Sequence, residues 1–168
     1  DKSSDYPPEA PTTDLSGFRP NVEAIGALQP DLVLLARDRD GVVATLEGVG
    51  ITVVLLEAAA NLDEVYEQIE TVGAATGHAA EAQQVVADMK ADINSLLADR
   101  PAQGEPLRYY YELSSEYSTL TSDTFVGSVL ELAGLENIAD GVAPEAGDYP
   151  QLTAEYVLSA DPDVVFLD

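Results

Sequence analysis

The sequence predicts an α/β protein: two Rossmann-like lobes, each incomplete within this chain, with parallel sheets joined by a long helix. Three observations predict it. Apolar runs of strand length alternate with segments of helical periodicity, the pattern of parallel strands linked by crossover helices. A helix, a Pro-Asp pair and a strand occur in that order near the start of the chain and again at its end. Between the two copies lies a helical stretch of about twenty residues, which at the α-helical rise measures ~30 Å. The expected division is an N-terminal lobe over 1–60, a helical connector over 61–101 and a C-terminal lobe over 102–168.

Residues 1–20 are rich in Pro, Ser, Thr and Asp and read as irregular. Asn21 caps a short helix, Val22–Leu28, with Glu23 in its first turn. Pro30 stops that helix, and Asp31–Leu35 reads as a strand buried on both faces. A helix over Gly41–Gly48 leads through Gly50 into a second apolar strand, Ile51–Leu56. Asn61 caps the next helix, with Glu64 three residues on, close to a capping box. Leu62, Val65, Tyr66, Ile69 and Val72 keep helical spacing until Gly73 and Gly77 interrupt it. The stripe resumes at Ala79, Ala82, Val86, Met89, Ile93 and Leu97 and ends at Arg100-Pro101. A tyrosine-rich strand over Arg108–Leu113, a helix over Thr124–Ala133 closed by Gly134, a helix over Leu152–Ala160 and a strand over Val164–Leu167 complete the chain.

The repeat carries most weight. Asn21–Leu35 aligns without gaps on Thr153–Leu167. Each copy has a capping residue, a Glu two positions later, a short apolar helix, Pro-Asp and a strand. Two related lobes on either side of the long helix account for this, and the two strands are expected in separate sheets.

Composition narrows the function. The 168 residues hold 31 acidic side chains against seven basic, a formal net charge of −24. Such a surface repels nucleic acid and anionic lipid, whose binding needs Lys and Arg patches. The acid is scattered rather than gathered into a tail, so it solvates the surface, and it also suits a protein adapted to salt. No cysteine is present and His78 is the single histidine, which removes disulfides, thiolate metal sites and most His-paired chemistry. His78 follows Gly77 at a helix junction and reads as a polar surface residue. The pairs Asp38/Asp40 and Asp161/Asp163 read as turn chemistry rather than metal or acid–base sites. Phosphate-cradling glycine motifs are lacking. No apolar run approaches the ~20 residues of a bilayer span, and the opening Asp1–Asp5 has no hydrophobic stretch of a signal peptide behind it. No catalytic residue, metal site or resident cofactor is expected.

Several segments follow the order of a known family. They are Asp5–Ala10, Gly17-Phe18, Asn21–Glu23, Leu28–Val33, Gly50–Val54, Leu130–Ile138 and Tyr149–Glu155. Together they resemble the helical-backbone (class III) substrate-binding proteins of ABC importers for iron complexes, haem and cobalamin. The family begins with a further strand–helix–strand unit and continues after the Pro-Asp strand, so the resemblance implies the central piece of a longer protein. It implies an extracytoplasmic binding component, periplasmic or lipid-anchored at the cell surface, that captures an iron-siderophore, haem or cobalamin and delivers it to a permease. A monomer that is not an enzyme is expected; the alternative is an α/β enzyme or cofactor-cluster scaffold on the same two-lobed plan.

The resemblance also implies sites. Ligand contacts would come from loops facing the cleft: Phe18 and Arg19, the stretch Glu112–Tyr117, and Tyr149. Rings there would stack on a flat porphyrin, corrin or catecholate, and Arg19 would pair with an anionic group. Glu23 and Glu155 match surface glutamates, one per lobe, that meet arginines of the ABC permease. The same two glutamates also suit helix N-termini, where an acid stabilises by ~0.3–1 kcal/mol.

Overall fold

The computed structural model describes residues 8–98, 104–142 and 147–167. The chain divides into two compact units, Asp1–Ala58 and Ala59–Asp168. The helical segment read as a connector is therefore grouped with the C-terminal unit. The helix stop at Arg100-Pro101 and the Asp5–Pro7 part of the family resemblance lie outside the described residues.

In the N-terminal unit, residues 8–20 form turns and bends without helix or strand. Helix α1 (Val22–Ala27) starts where Asn21 accepts a hydrogen bond from the Ala24 amide at 3.0 Å. Strand β1 (Leu32–Leu35), helix α2 (Val42–Gly48) and strand β2 (Thr52–Leu55) follow. β1 and β2 pair in parallel, with Leu32 opposite Thr52 and Leu35 opposite Leu55. Gly41 begins α2 in the left-handed conformation without a side-chain cap of its own, and Asp38 supplies one by accepting from the Val43 amide at 3.1 Å. Ile25, Val42 and Leu46 form the core between the helices and the sheet, with Leu15, Val33, Leu35 and Val53 packed against them.

The C-terminal unit opens with a helical hairpin, α3 (Leu62–Thr76) and α4 (Ala79–Ala98). Asn61 and Glu64 make the expected box: Asn61 Oδ1 accepts from the Glu64 amide at 3.0 Å, while Glu64 Oε2 accepts from the Ala60 amide at 2.8 Å. Gly77 ends α3 in the left-handed conformation. Gly73 does not interrupt the helix, as its position in the stripe suggested. It lies inside α3 where α4 crosses, and a Cβ there would collide with the Cβ of Ala82. Strand β3 (Arg108–Glu112), helix α5 (Phe125–Leu132), the short strand β4 (Glu136–Asn137), a 3-10 turn over Ile138–Gly141, helix α6 (Ala154–Ala160) and strand β5 (Val164–Leu167) complete the unit. The sheet order is β4-β3-β5, all parallel, with Tyr110 opposite Val165 and Glu112 opposite Leu167.

β1 and β5, the strands of the two repeat copies, thus sit in separate sheets. The repeat extends to the backbone: Gln29 and Asp161, which align, both turn through positive φ, at 50° and 47°, before their prolines. Neither strand is buried on both faces, contrary to expectation: Leu34 is 47 % exposed and Val165 51 %. α1 and α2 pack on the face of β1–β2 that carries Val33, Leu35 and Val53.

Candidate functional site

Open α/β sheets bind ligands in the crevice outside the carboxyl ends of their strands, at a point where the strand order reverses. β3 ends on half-buried Glu112. The Tyr110 hydroxyl donates to Glu112 Oε2 at a long 3.5 Å. Tyr110 is only 2 % exposed; burial, and then the negative charge and hydrogen bond of Glu112, push its phenol up to about 12.

Beyond Glu112 the chain folds into a tight loop. Leu113 donates to the Ser118 carbonyl at 2.9 Å and Tyr117 donates to the Ser114 carbonyl at 3.1 Å. Tyr117 takes a left-handed φ of 62° to make the turn, strained for a residue with a bulky side chain. The segment from Tyr117 then runs antiparallel to the one that ends at Leu152. Leu152 donates to the Tyr117 carbonyl at 3.0 Å, Thr119 to Pro150 at 2.9 Å and Thr121 to Asp148 at 2.9 Å. Gln151 Nε2 adds a bond to the Glu116 carbonyl at 2.9 Å. Thr119 and Pro150 are fully buried beneath this ladder.

Glu112, Tyr117 and Tyr149 therefore stand on one continuous, backbone-bonded rim. Tyr117 is 38 % exposed and Tyr149 67 %, so their rings are open to a partner rather than consumed by packing. Two presented phenols and a carboxylate can stack on a flat conjugated ligand and accept from its amide or ammonium groups. Ser114, within the stretch Glu112–Tyr117, and Gln151, within the resembling segment Tyr149–Glu155, pin the loop, a role that only the pairing shows.

In the N-terminal unit, Phe18 is 71 % exposed, and the Arg19 amide donates to Ser16 Oγ at 3.3 Å. The Arg19 guanidinium has no partner among the described residues. Glu23 sits in the first turn of α1 and Glu155 in the first turn of α6, both exposed. Thr153 caps α6 as Asn21 caps α1, its Oγ1 accepting from the Tyr156 amide at 3.2 Å. Glu23 also borders an open, mostly apolar depression of about 450 Å³ formed by Val22, Pro30, Val49 and Ile51.

His78 is exposed, and its Nδ1 lies 2.8 Å from the Thr76 carbonyl, a local turn contact. Among the described residues no group of three or more His, Asp or Glu side chains is placed to hold a metal ion. A cavity of about 390 Å³ lies away from the β3 loops, among α3, α4 and α5, with Tyr66, Ile93 and Leu97 in its wall. Lys90 Nζ stands 4.5 Å from the Tyr66 ring centre there.

Comparison with known proteins assigns the chain to a family. It is 39 % identical over 165 residues to the cobalamin-binding protein of Halobacterium salinarum, an alignment covering 95 % of this chain and 44 % of that protein. The crystal structure of the periplasmic vitamin B12 binding protein of Vibrio cholerae superposes with a TM-score of 0.66 at 28 % identity, over 99 % of this chain and 66 % of that one. A possible iron-binding periplasmic solute-binding protein of Staphylococcus epidermidis shares the fold, with a TM-score of 0.78 at 23 % identity over 91 % of this chain and 60 % of that one. The chain spans about half the length of the curated relatives it matches. The family model for periplasmic binding proteins matches residues 1–168, and the chain belongs to that family.

Proposed function

We propose that the chain forms the ligand-facing part of an extracytoplasmic substrate-binding component of an ABC importer, and that its cargo is cobalamin. The observation that carries this is the 39 % identity across 95 % of the chain with a cobalamin-binding protein. The relative of solved structure at 28 % identity is also named for vitamin B12, whereas the iron-binding neighbour at 23 % speaks for the fold alone.

The cargo is bound, not transformed. Tyr117 and Tyr149 lie against the corrin and its amide side chains, and Glu112 accepts from amide N–H groups. Phe18 and Arg19, on the N-terminal unit, are that unit's own candidates for ligand contact. The backbone ladder fixes the rim before the ligand arrives, so little ordering is lost on capture. Glu23 and Glu155 then meet arginines of the permease. The protein works outside the cytoplasm, free in the periplasm or anchored by lipid, as a monomer.

Cobalamin uptake by cells that lack their own binding component tests capture and delivery together. The full-length protein should restore uptake. Glu23→Ala with Glu155→Ala should abolish it while leaving cobalamin affinity within twofold. Wild-type uptake by the doubly substituted protein would end the docking assignment, and failure of the wild type to restore uptake with its cognate permease would end the transport reading.

A further inference from the structure

We propose, on the reading that Glu23 meets an arginine of the permease, that the apolar depression beside Glu23 is a socket for an apolar side chain of that same permease. The depression measures about 450 Å³ and is walled by Val22, Gly26, Pro30, Val49 and Ile51, with Glu23 the one charged residue in its lining. Its floor is fixed. Val22 and Ile51 pack against the core of Ile25, Val42 and Leu46. The Ile51 and Val49 amides both donate to the Leu46 carbonyl, at 3.1 and 3.2 Å. Val49, on the α2 side, is 66 % exposed.

Gly26 keeps the recess open. It lies in the last turn of α1, three residues from Glu23 and four from Val22, so the three share one side of the helix. Glycine is among the poorest helix formers, and no turn requires it here: the left-handed residue after α1 is Gln29, at φ 50°. Gly73 and Gly127, also within helices, are held to glycine by neighbours that a Cβ would strike. A Cβ on Gly26 would meet nothing within 4 Å among the described residues. The aligned residue of the second repeat copy is Leu158, 78 % exposed. Next to its own glutamate, α6 therefore bears a projecting leucine where α1 bears a hole.

The occupant follows from the lining. An apolar recess gains by burying an apolar group. The exposed Glu23 carboxylate has no partner among the described residues and is complementary to a cation at the rim. A protein surface that carries an arginine beside a leucine-sized apolar side chain meets both demands, and a seated anchor of that kind shields the ion pair from water.

Complex formation between the full-length protein and its cognate permease, read as an equilibrium affinity, tests the socket. Gly26→Leu copies the second repeat. It should leave the thermal midpoint equal or higher and cobalamin affinity within twofold, yet weaken the complex about tenfold or more. Val49→Ser, which removes apolar wall without adding bulk, should weaken the complex about threefold. Both losses should persist in molar sodium chloride, where the loss from Glu23→Ala fades. Wild-type permease affinity in Gly26→Leu, alongside a loss in Glu23→Ala, would overturn the socket and leave the docking assignment standing. A lowered midpoint in full-length Gly26→Leu would also overturn it, because the recess would then be filled by the protein's own chain. No complex with the wild type would remove the docking reading, and the socket with it.

Discussion

Tyr109, Tyr110 and Tyr111 occupy consecutive positions on β3, and their surroundings differ as pleating requires. Tyr109 and Tyr111 share a face with Phe166 between them, its ring centre 5.9 Å from Tyr109 and 5.8 Å from Tyr111. Tyr110 points the other way into a core with Ile138 and Leu152. Strand alternation alone keeps the three from sharing one face. It does not show that Tyr109 and Tyr110 are both buried, because that depends on β3 being the central strand of its sheet. Tyr110 carries a raised pKa of about 12. A phenol that stays protonated in the fold but ionises near 10 when unfolded contributes stability below pH 10, and loses it as pH rises towards 12. Denaturant unfolding between pH 9 and 12 should show that loss, and Tyr110→Phe should reduce its slope. At the rim, Tyr117→Ala and Tyr149→Ala should each weaken cobalamin binding about tenfold, near 1.4 kcal/mol, in an equilibrium titration of the full-length protein.

The helices and strands follow from local rules, and most were legible. Asn21, Asn61 and Thr153 each accept the capping bond their position implied, and Thr124, read as the first residue of its helix, is its cap instead. β4 escaped notice because Glu136-Asn137 is only two residues long, and it exists by pairing with β3 rather than by propensity. Gly127 carries a different kind of information. It lies inside α5 against the loop before it, where a Cβ would collide with the Thr121 carbonyl and come within 2.7 Å of Ser122 Cα. Gly127→Ala should cost about 1–3 kcal/mol in urea unfolding, although alanine is the better helix former. Thr124→Ala, which removes the bond to the Gly127 amide at 3.1 Å, should cost about 1 kcal/mol. The loop chemistry after β3 was legible only in part. The family resemblance marked the place by matching segments, but the ladder that joins Tyr117 to Tyr149 is a long-range pairing that no local pattern announces.

On the scale of the whole molecule, the repeat proved more informative than any single motif. It anticipated two separate parallel sheets, matched caps and matched turns, and the structure adds the shared positive φ at Gln29 and Asp161. The copies diverge in packing: α1 buries Ile25, whereas α6 buries no residue fully. Asp163 is tied to β3 by bonds of 2.8 Å to and from the Arg108 backbone, a partner Asp31 lacks among the described residues. Net charge acts at this scale too. With −24 formal charge, exposed carboxylates repel at low ionic strength and are screened above ~0.1 M. The thermal midpoint should rise from low to molar sodium chloride more than with a nonionic osmolyte of equal osmolality. Capture of cobalamin without chemical change is the function proposed for this fold. Equilibrium titration of the full-length protein with cobalamin, haem and a ferric siderophore, with recovery of the ligand afterwards, tests it most directly. Saturable one-to-one binding of cobalamin, at least a hundredfold tighter than the other two and with the corrinoid recovered intact, is the predicted result; no cobalamin binding, or a chemically altered corrinoid, would contradict it.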